Sequence, residues 1–303
     1  VDVLQTVRNS LFDWFRPFPV PTSFLISARG ELVAIYQGPV EADTLVADLK
    51  LAELDAEALR EAALPFEGRW LSPPRQILAS HVASVLSQSG HLALAADMLS
   101  AAEPPAGAES HFAEAYQGLG ARYFRANQLE AARDAYAASV EHDPSNPRVW
   151  TDLGILEGRL GRIDQALDAF QQALAANPDF VDAHYNLGVA LLLKRDLSAA
   201  AERFEKVISL APSRVDAHMQ LAGVLIESGQ PAAAVAPARR ACELTDHGSA
   251  APVRLLAAAL AEAGQRDEAV RTATEALRLA TKAGDDALAA AIREELQGYQ
   301  AAP

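Results

Sequence analysis

His184 and His218 are the first pair of side chains in this chain that could ligate a metal. A tetrahedral site needs three or four donors within about 2–2.3 Å of one ion. The interval between the two imidazoles recurs through this chain as a structural period, so the rings fall in the same slot of successive units, too far apart for one ion. They are expected to pack inside their helical pairs instead. His142, His247, His91 and His111 fall at expected helix ends or loops, and His81 has no ligand at helical spacing. The single cysteine, Cys242, excludes an intrachain disulfide and a CxxC redox pair, and it takes a core slot where an inert thiol is expected. Asp285-Asp286 opens an expected helix, where carboxylates complement the helix dipole rather than form a catalytic pair. Neither GxGxxG nor GxxxxGK occurs, so Gly30, Gly38 and Gly161 are read as turn residues and not as a phosphate loop. No nucleophile–base–acid grouping follows from spacing. The chain is therefore expected to be non-catalytic and to carry no cofactor and no metal.

The charge balance narrows the partners. The 303 residues hold 26 Lys and Arg against 40 Asp and Glu, a net charge of −14. Residues 1–63 carry five basic and ten acidic groups, and the remainder 21 and 30. Neither part offers the basic field that holds phosphates, so nucleic acid and an anionic membrane surface are not expected partners. No apolar run reaches the roughly 18 residues of a membrane span, so no membrane insertion is expected. The chain begins with Val1 rather than Met, which suggests a processed or truncated product. A cytoplasmic location and a bacterial envelope or periplasmic one both fit.

What must position any site is a repeat. Leu119-Gly120, Leu153-Gly154, Leu187-Gly188 and Leu221-Ala222 follow one another at a constant interval, and Ala132, Ala166, Ala200 and Ala234 keep the same interval. Tyr136, Phe170 and Phe204 form a third series, which Ala238 breaks, and Pro144, Pro178 and Pro212 close three successive units. A period of this length, about 34 residues, denotes stacked units, each burying its apolar face on its neighbours. The small residues let two helices approach closely, and the large ones fill the space between pairs. Leu160-Gly161-Arg162 and Ser228-Gly229-Gln230 read as hairpin turns, and Asp143-Pro144 and Asn177-Pro178 as helix stops.

Residues 147–180, with Trp150, Leu153, Gly154, Gly161, Ala166, Phe170, Ala173 and Pro178 in one register, resemble the tetratricopeptide repeat. About six units follow in that frame: a weak one at 76–109 with Val82, Ala83, Gly90 and Ala95, then 113–146, 147–180, 181–214, 215–248 and 250–283. Pro237 intrudes in the second helix of 215–248, and Glu103–Ser110 makes a longer loop. Residues 284–303 are expected to cap the array, with Arg293, Glu294, Glu295 and Gln297 toward water. The resemblance implies a mainly α fold, a right-handed superhelix of helical hairpins whose first helices line a concave groove. By register that groove should include Arg125, Arg148, Asp152, Arg159, Tyr185, Asn186, Val189, Asp216, Met219 and Gln220. Some family members clamp a partner's terminal carboxylate with Lys, Asn, Asn, Lys and Arg. Here Asn186 matches the middle Asn, but the flanking slots hold Thr151, Ile155, Asp216 and Gln220, so binding of that kind is not expected.

Residues 1–63 lie outside the repeat. Val1–Phe15 has helical spacing, two strands flank the turn Ala28-Arg29-Gly30, and Glu41–Leu54 is helical again. Val20-Pro21-Thr22, strand, turn, strand, Gly38 and helix resemble the carboxy-terminal half of a thioredoxin-like domain, in which the residue matching Pro21 follows a cis peptide bond beside the active site. The first strands and the CxxC of that family are absent. A lone hairpin leaves open edges, so upstream sequence or another chain is expected to complete the sheet. Residues 64–75 read as a proline-rich linker in which Trp70 could pack the first array helix. The expected function is a non-catalytic scaffold that takes a peptide or protein in the groove. The alternative is a thioredoxin-like chaperone or redox adaptor, of which bacterial proteins joining the two modules are precedents by resemblance.

Overall fold

The computed structural model describes residues 22–26, 32–37 and 79–301. The expected helices Val1–Phe15 and Glu41–Leu54, the 64–75 linker and Trp70 lie outside the described residues. Among the described residues the chain is thirteen helices and two strands.

β1 (Thr22–Ile26) pairs antiparallel with β2 (Leu32–Gln37), Thr22 opposite Gln37 and Leu25 opposite Ala34. The register shifts between Leu25 and Ile26, which gives β2 one extra residue, as in a β-bulge. Phenylalanine and isoleucine in β1, and valine, isoleucine and tyrosine in β2, favour the extended backbone. The two expected strands are present and paired. They do not by themselves establish a thioredoxin-like domain, since two antiparallel strands are common to many folds.

The chain divides into two compact units between Ser145 and Asn146. In the first, α1 (Ala79–Gln88) packs on α2 (Leu92–Ala101), both pack on α3 (Glu109–Arg125), and α3 packs on α4 (Leu129–His142). Val82, Ala83, Leu86, Ala95 and Leu99 are buried in the first pair, and Phe112, Leu119, Ala132 and Tyr136 in the second. Gly120 lies under the Tyr136 ring, where a Cβ would come within 3.0 Å of it. The Ser139 hydroxyl donates to the Ala113 carbonyl at 2.7 Å, satisfying a buried polar group between α3 and α4.

The second unit holds α5 (Pro147–Arg159), α6 (Ile163–Ala176), α7 (Val181–Leu193), α8 (Leu197–Leu210), α9 (Val215–Glu227), α10 (Pro231–Leu244), α11 (Ala250–Glu262), α12 (Arg266–Ala283) and α13 (Asp286–Ala301). Each packs on the next in sequence, and the turns within pairs are short, which makes neighbours antiparallel. α5 also touches α7, and α9 touches α11, so alternate helices share one layer. The close approach expected of the glycines is present. A Cβ on Gly154 would lie 2.5 Å from the Phe170 ring, and one on Gly188 2.8 Å from the Phe204 ring. In α9 and α10 the same slots hold Ala222 and Ala238, both fully buried in one cluster with Ala234 and Cys242. An alanine pair replaces glycine plus aromatic, which keeps the helices close with a smaller total volume.

The turns share one backbone feature. Asn127, Gly161, Arg195, Gly229 and Gly264 all have positive φ, and Arg195, at 63°, carries a full side chain there. Its guanidinium pairs with Glu227. The left-handed conformation costs about 1–2 kcal/mol for a residue with a Cβ, whereas an exposed ion pair contributes about 0–1 kcal/mol. Arg195→Gly is therefore expected to raise the urea midpoint of unfolding, and an unchanged or lower midpoint would mean that the ion pair outweighs the backbone cost.

α13 corrects one expectation. Arg293, Glu294 and Gln297 are exposed, but Glu295 is turned inward and accepts from Arg254 Nε of α11, 3.0 Å from each carboxylate oxygen. Arg266 at the start of α12 donates to the carbonyls of Tyr299 and Gln300 at 2.6 and 2.7 Å, satisfying carbonyls in the last turn of α13. The Asp285 side chain accepts from the Leu288 amide and so caps the start of α13. Two arginines thus fasten α13. The sequence pattern hid this because the residue types of the repeat do not mark which partner a long charged side chain takes.

Candidate surface for a partner on the first helices

The shared layer of α5, α7 and α9 carries nine of the residues assigned to a groove. Arg125, the tenth, is exposed in the last turn of α3, in the other compact unit. Arg148 and Arg159 are exposed at the two ends of α5. Asp152, Tyr185, Asn186, Val189, Asp216, Met219 and Gln220 are half-buried. Asn146 caps α5, its side-chain oxygen accepting from the Arg148 amide at 3.1 Å.

Several of these side chains are already engaged. Asn186 donates its amide to the Asp182 carbonyl one turn earlier at 2.8 Å. Val189 packs on the cluster of Phe204, Leu221 and Val224. The Tyr185 ring meets Phe204 edge-on, with centroids 5.7 Å apart. Its other neighbour is Arg214, whose guanidinium carbon lies 4.5 Å from the ring centroid. Arg214 also reaches Asp182 at 2.7 Å and Asp216 at 3.0 Å, so one guanidinium joins α7 to the start of α9. A partly buried cation over an aromatic face contributes about 0.5–2 kcal/mol. Burial works against the charge on Arg214, but bonds to Asp182 and Asp216 raise its pKa above the ordinary value.

Sequence reasoning missed Arg214. It stands just before α9, in the slot that holds Asn146 and Phe180 in the two preceding units. A long cation at a helix entry, two residues before Asp216, was the available signal. Asp152 is a different case. Burial raises its carboxyl pKa above the ordinary range; Arg148 opposes the shift, and Asp182 adds to it. The face is thus mixed in charge, with an aromatic centre under a cation.

His184 and His218 are buried, at 4% and 6% exposure. Each ring Nε2 lies 2.9 Å from a carbonyl oxygen six residues back, that of Pro178 and of Pro212. A carbonyl only accepts, so Nε2 carries the proton in both. The two rings are separate loop clasps, as their shared slot implied. Among the described residues no group of three or more His, Cys, Asp or Glu is placed to hold a metal ion. His142 stacks on Tyr116, with centroids 5.6 Å apart.

Cys242 is fully buried and burial pushes its thiol up to about 11. The thiolate is the reactive form, so native protein should resist maleimide at pH 7.5 and react only when unfolded. Rapid native labelling would contradict the burial. The folded pKa is raised, so its contribution is intact below the ordinary value of 9.0 and is lost as pH rises toward about 11.

Comparison with known proteins agrees with this architecture. Three family models described as tetratricopeptide repeat match residues 113–156, 151–202 and 191–236. No curated protein sequence matches the chain with significance. Among solved structures, MamA is similar at 22% identity and a TM-score of 0.54, over 59% of this chain and 96% of that one. MamA 41-end from Desulfovibrio magneticus RS-1 is similar at 21% identity and 0.53, over 56% and 96%. YrrB, described as a TPR protein with an unusual peptide-binding site, is similar at 22% identity and 0.52, over 60% and 92%. At these identities the likeness concerns the fold. No helix among the described residues is long and apolar enough to cross a membrane. Residues 113–236 of this chain carry tetratricopeptide repeats, set in a mainly helical solenoid of the tetratricopeptide type.

Proposed function

We propose that this protein is a non-catalytic interaction scaffold, and that the layer of α5, α7 and α9 takes a peptide or protein segment. The observation that carries the reading is the composition of that layer: half-buried Asp152, Tyr185, Met219 and Gln220 beside exposed Arg148, with apolar and polar groups interleaved along three neighbouring helices. Half-exposed aromatic and methionine side chains supply apolar contact area, and fixed charges supply register. The tetratricopeptide fold of YrrB, described as having a peptide-binding site, supports the same use of the scaffold. In this reading units 76–109, 113–146, 147–180, 181–214, 215–248 and 250–283 are the structural modules, and affinity is spread over several of them. We keep Arg159 in the proposed set as a rim charge, and Arg125, in the first compact unit, as a candidate contact by itself. Completion of the β1–β2 hairpin by a further segment or another chain is part of the same proposal.

Joint replacement Arg148→Ala, Tyr185→Ala and Asn186→Ala tests it. Proteins that copurify with the tagged wild type should be lost with the triple variant, while the helical circular dichroism stays the same. Undiminished copurification with intact helicity would remove this face from the account.

A further inference from the structure

The His184 ring is held by one nitrogen and stranded at the other. Nε2–H donates to the Pro178 carbonyl at 2.9 Å, and Nδ1 is buried with no hydrogen-bond partner. His218 repeats both features, its Nε2–H on the Pro212 carbonyl at 2.9 Å and its Nδ1 buried and unpartnered. At His184 a titratable ring is therefore placed where only the neutral form fits. A second proton would have to sit on Nδ1, where no acceptor waits, and a buried unpaired N–H on a cation is costly.

The charges facing His184 make this worse. They are Arg203 and Lys206 of α8 and Asp179 of the α6–α7 loop. Asp179, the only carboxylate among them, is already bound to Lys206 at 2.8 Å. At His218 the repeat places Ser213, Pro237 and Arg240 in the slots of Asp179, Arg203 and Lys206, none of them a carboxylate.

We propose that His184 is an acid-sensitive latch: neutral, it ties the loop at Pro178 to α7, and on protonation the loop and the first turns of α7 open. Burial lowers the pKa of His184 below the ordinary 6.5, more than the Pro178 bond raises it. With the folded value depressed, the latch is intact above pH 6.5 and weakens as pH falls below it. Asp182, Tyr185 and Asn186 lie on those turns, so acid would also dissolve the face assigned to the partner. That consequence rests on the proposed function, but the latch itself does not.

The unit at 147–180 is a built-in control, because Trp150 stands in the slot of His184 and does not titrate in this range. Amide hydrogen exchange of the full chain should be followed at pH 7.5 and 5.0, corrected for intrinsic chemistry. Protection of residues 181–193 should fall about tenfold relative to residues 147–159 as pH drops. His184→Trp, or His184→Gln if the larger ring does not fold, should abolish the fall in 181–193. An unchanged ratio in the wild type would overturn the latch, as would a fall of the same size in either folded variant. A His184 ring that titrates by NMR at or above the ordinary value would overturn it too.

Discussion

Phe204→Ala should lower the stability of the second compact unit by about 3–5 kcal/mol. Phe204 is fully buried, lies against Gly188 and meets Tyr185 edge-on. Its cluster includes Ala200, Leu221 and Val224, so the ring bridges α7, α8 and α9. Removing it leaves a cavity that the helices cannot close without shifting, because Leu221 and Val224 are held by their own unit. In a stacked array each unit depends on its neighbours, so the loss should also split unfolding into two transitions. Urea unfolding followed by circular dichroism reads both effects. Leu193→Ala, at a position 64% exposed, is the matched control and should change stability by less than about 0.5 kcal/mol. A Phe204→Ala loss below about 1 kcal/mol would mean that the ring is not the filler between units.

The converse substitution should be nearly as damaging. Alanine normally improves a helix interior over glycine by about 1 kcal/mol, and Gly118, with nothing within 4 Å of a built Cβ, should show that gain. Gly154→Ala should not. Its Cβ would sit 2.5 Å from Phe170 Cε1, inside the contact distance of two carbons. Overpacking of this kind costs about 1–3 kcal/mol, so the sign reverses between two glycines that look alike in the sequence. Phe170→Leu in the same chain should recover part of the loss by giving the new methyl room. The chain itself contains the tolerated alternative, since Ala222 faces no aromatic in its register and Ala238 fills the aromatic slot. Thermal unfolding of Gly118→Ala, Gly154→Ala and the double variant separates the two effects. A stabilising Gly154→Ala would show that the helices are free to separate.

The repeat was legible because a constant period places like beside like. The small residues Gly154 and Gly188 and the large residues Phe170 and Phe204 could be read as two series, and the structure sets each glycine against the aromatic ring of its own unit. The burial of His184 and His218 followed from the same arithmetic. What escaped was whatever crosses units by reach rather than by register. Arg214 spans from the entry of α9 to Asp182 and Tyr185, and Glu295 turns back to Arg254 across 41 residues. Long charged side chains choose partners by local geometry, and a pattern of residue types carries no record of that choice. The packing of alternate helices was legible, but the engagement of Asn186 and Asp216 inside the chain was not. The hairpin at 22–37 was legible from its β-rich composition, and the domain that it would belong to was not.

The central claim is that the shared layer of first helices meets the partner. A photocrosslinking residue placed singly at Asn186, Val189 and Met219, and at Gln171, Glu202 and Glu205 on exposed positions of α6 and α8, tests it in the native host. The account predicts a discrete adduct of one size from the first three positions and none from the others. Adducts only from Gln171, Glu202 or Glu205 would place the partner on the second helices and contradict it.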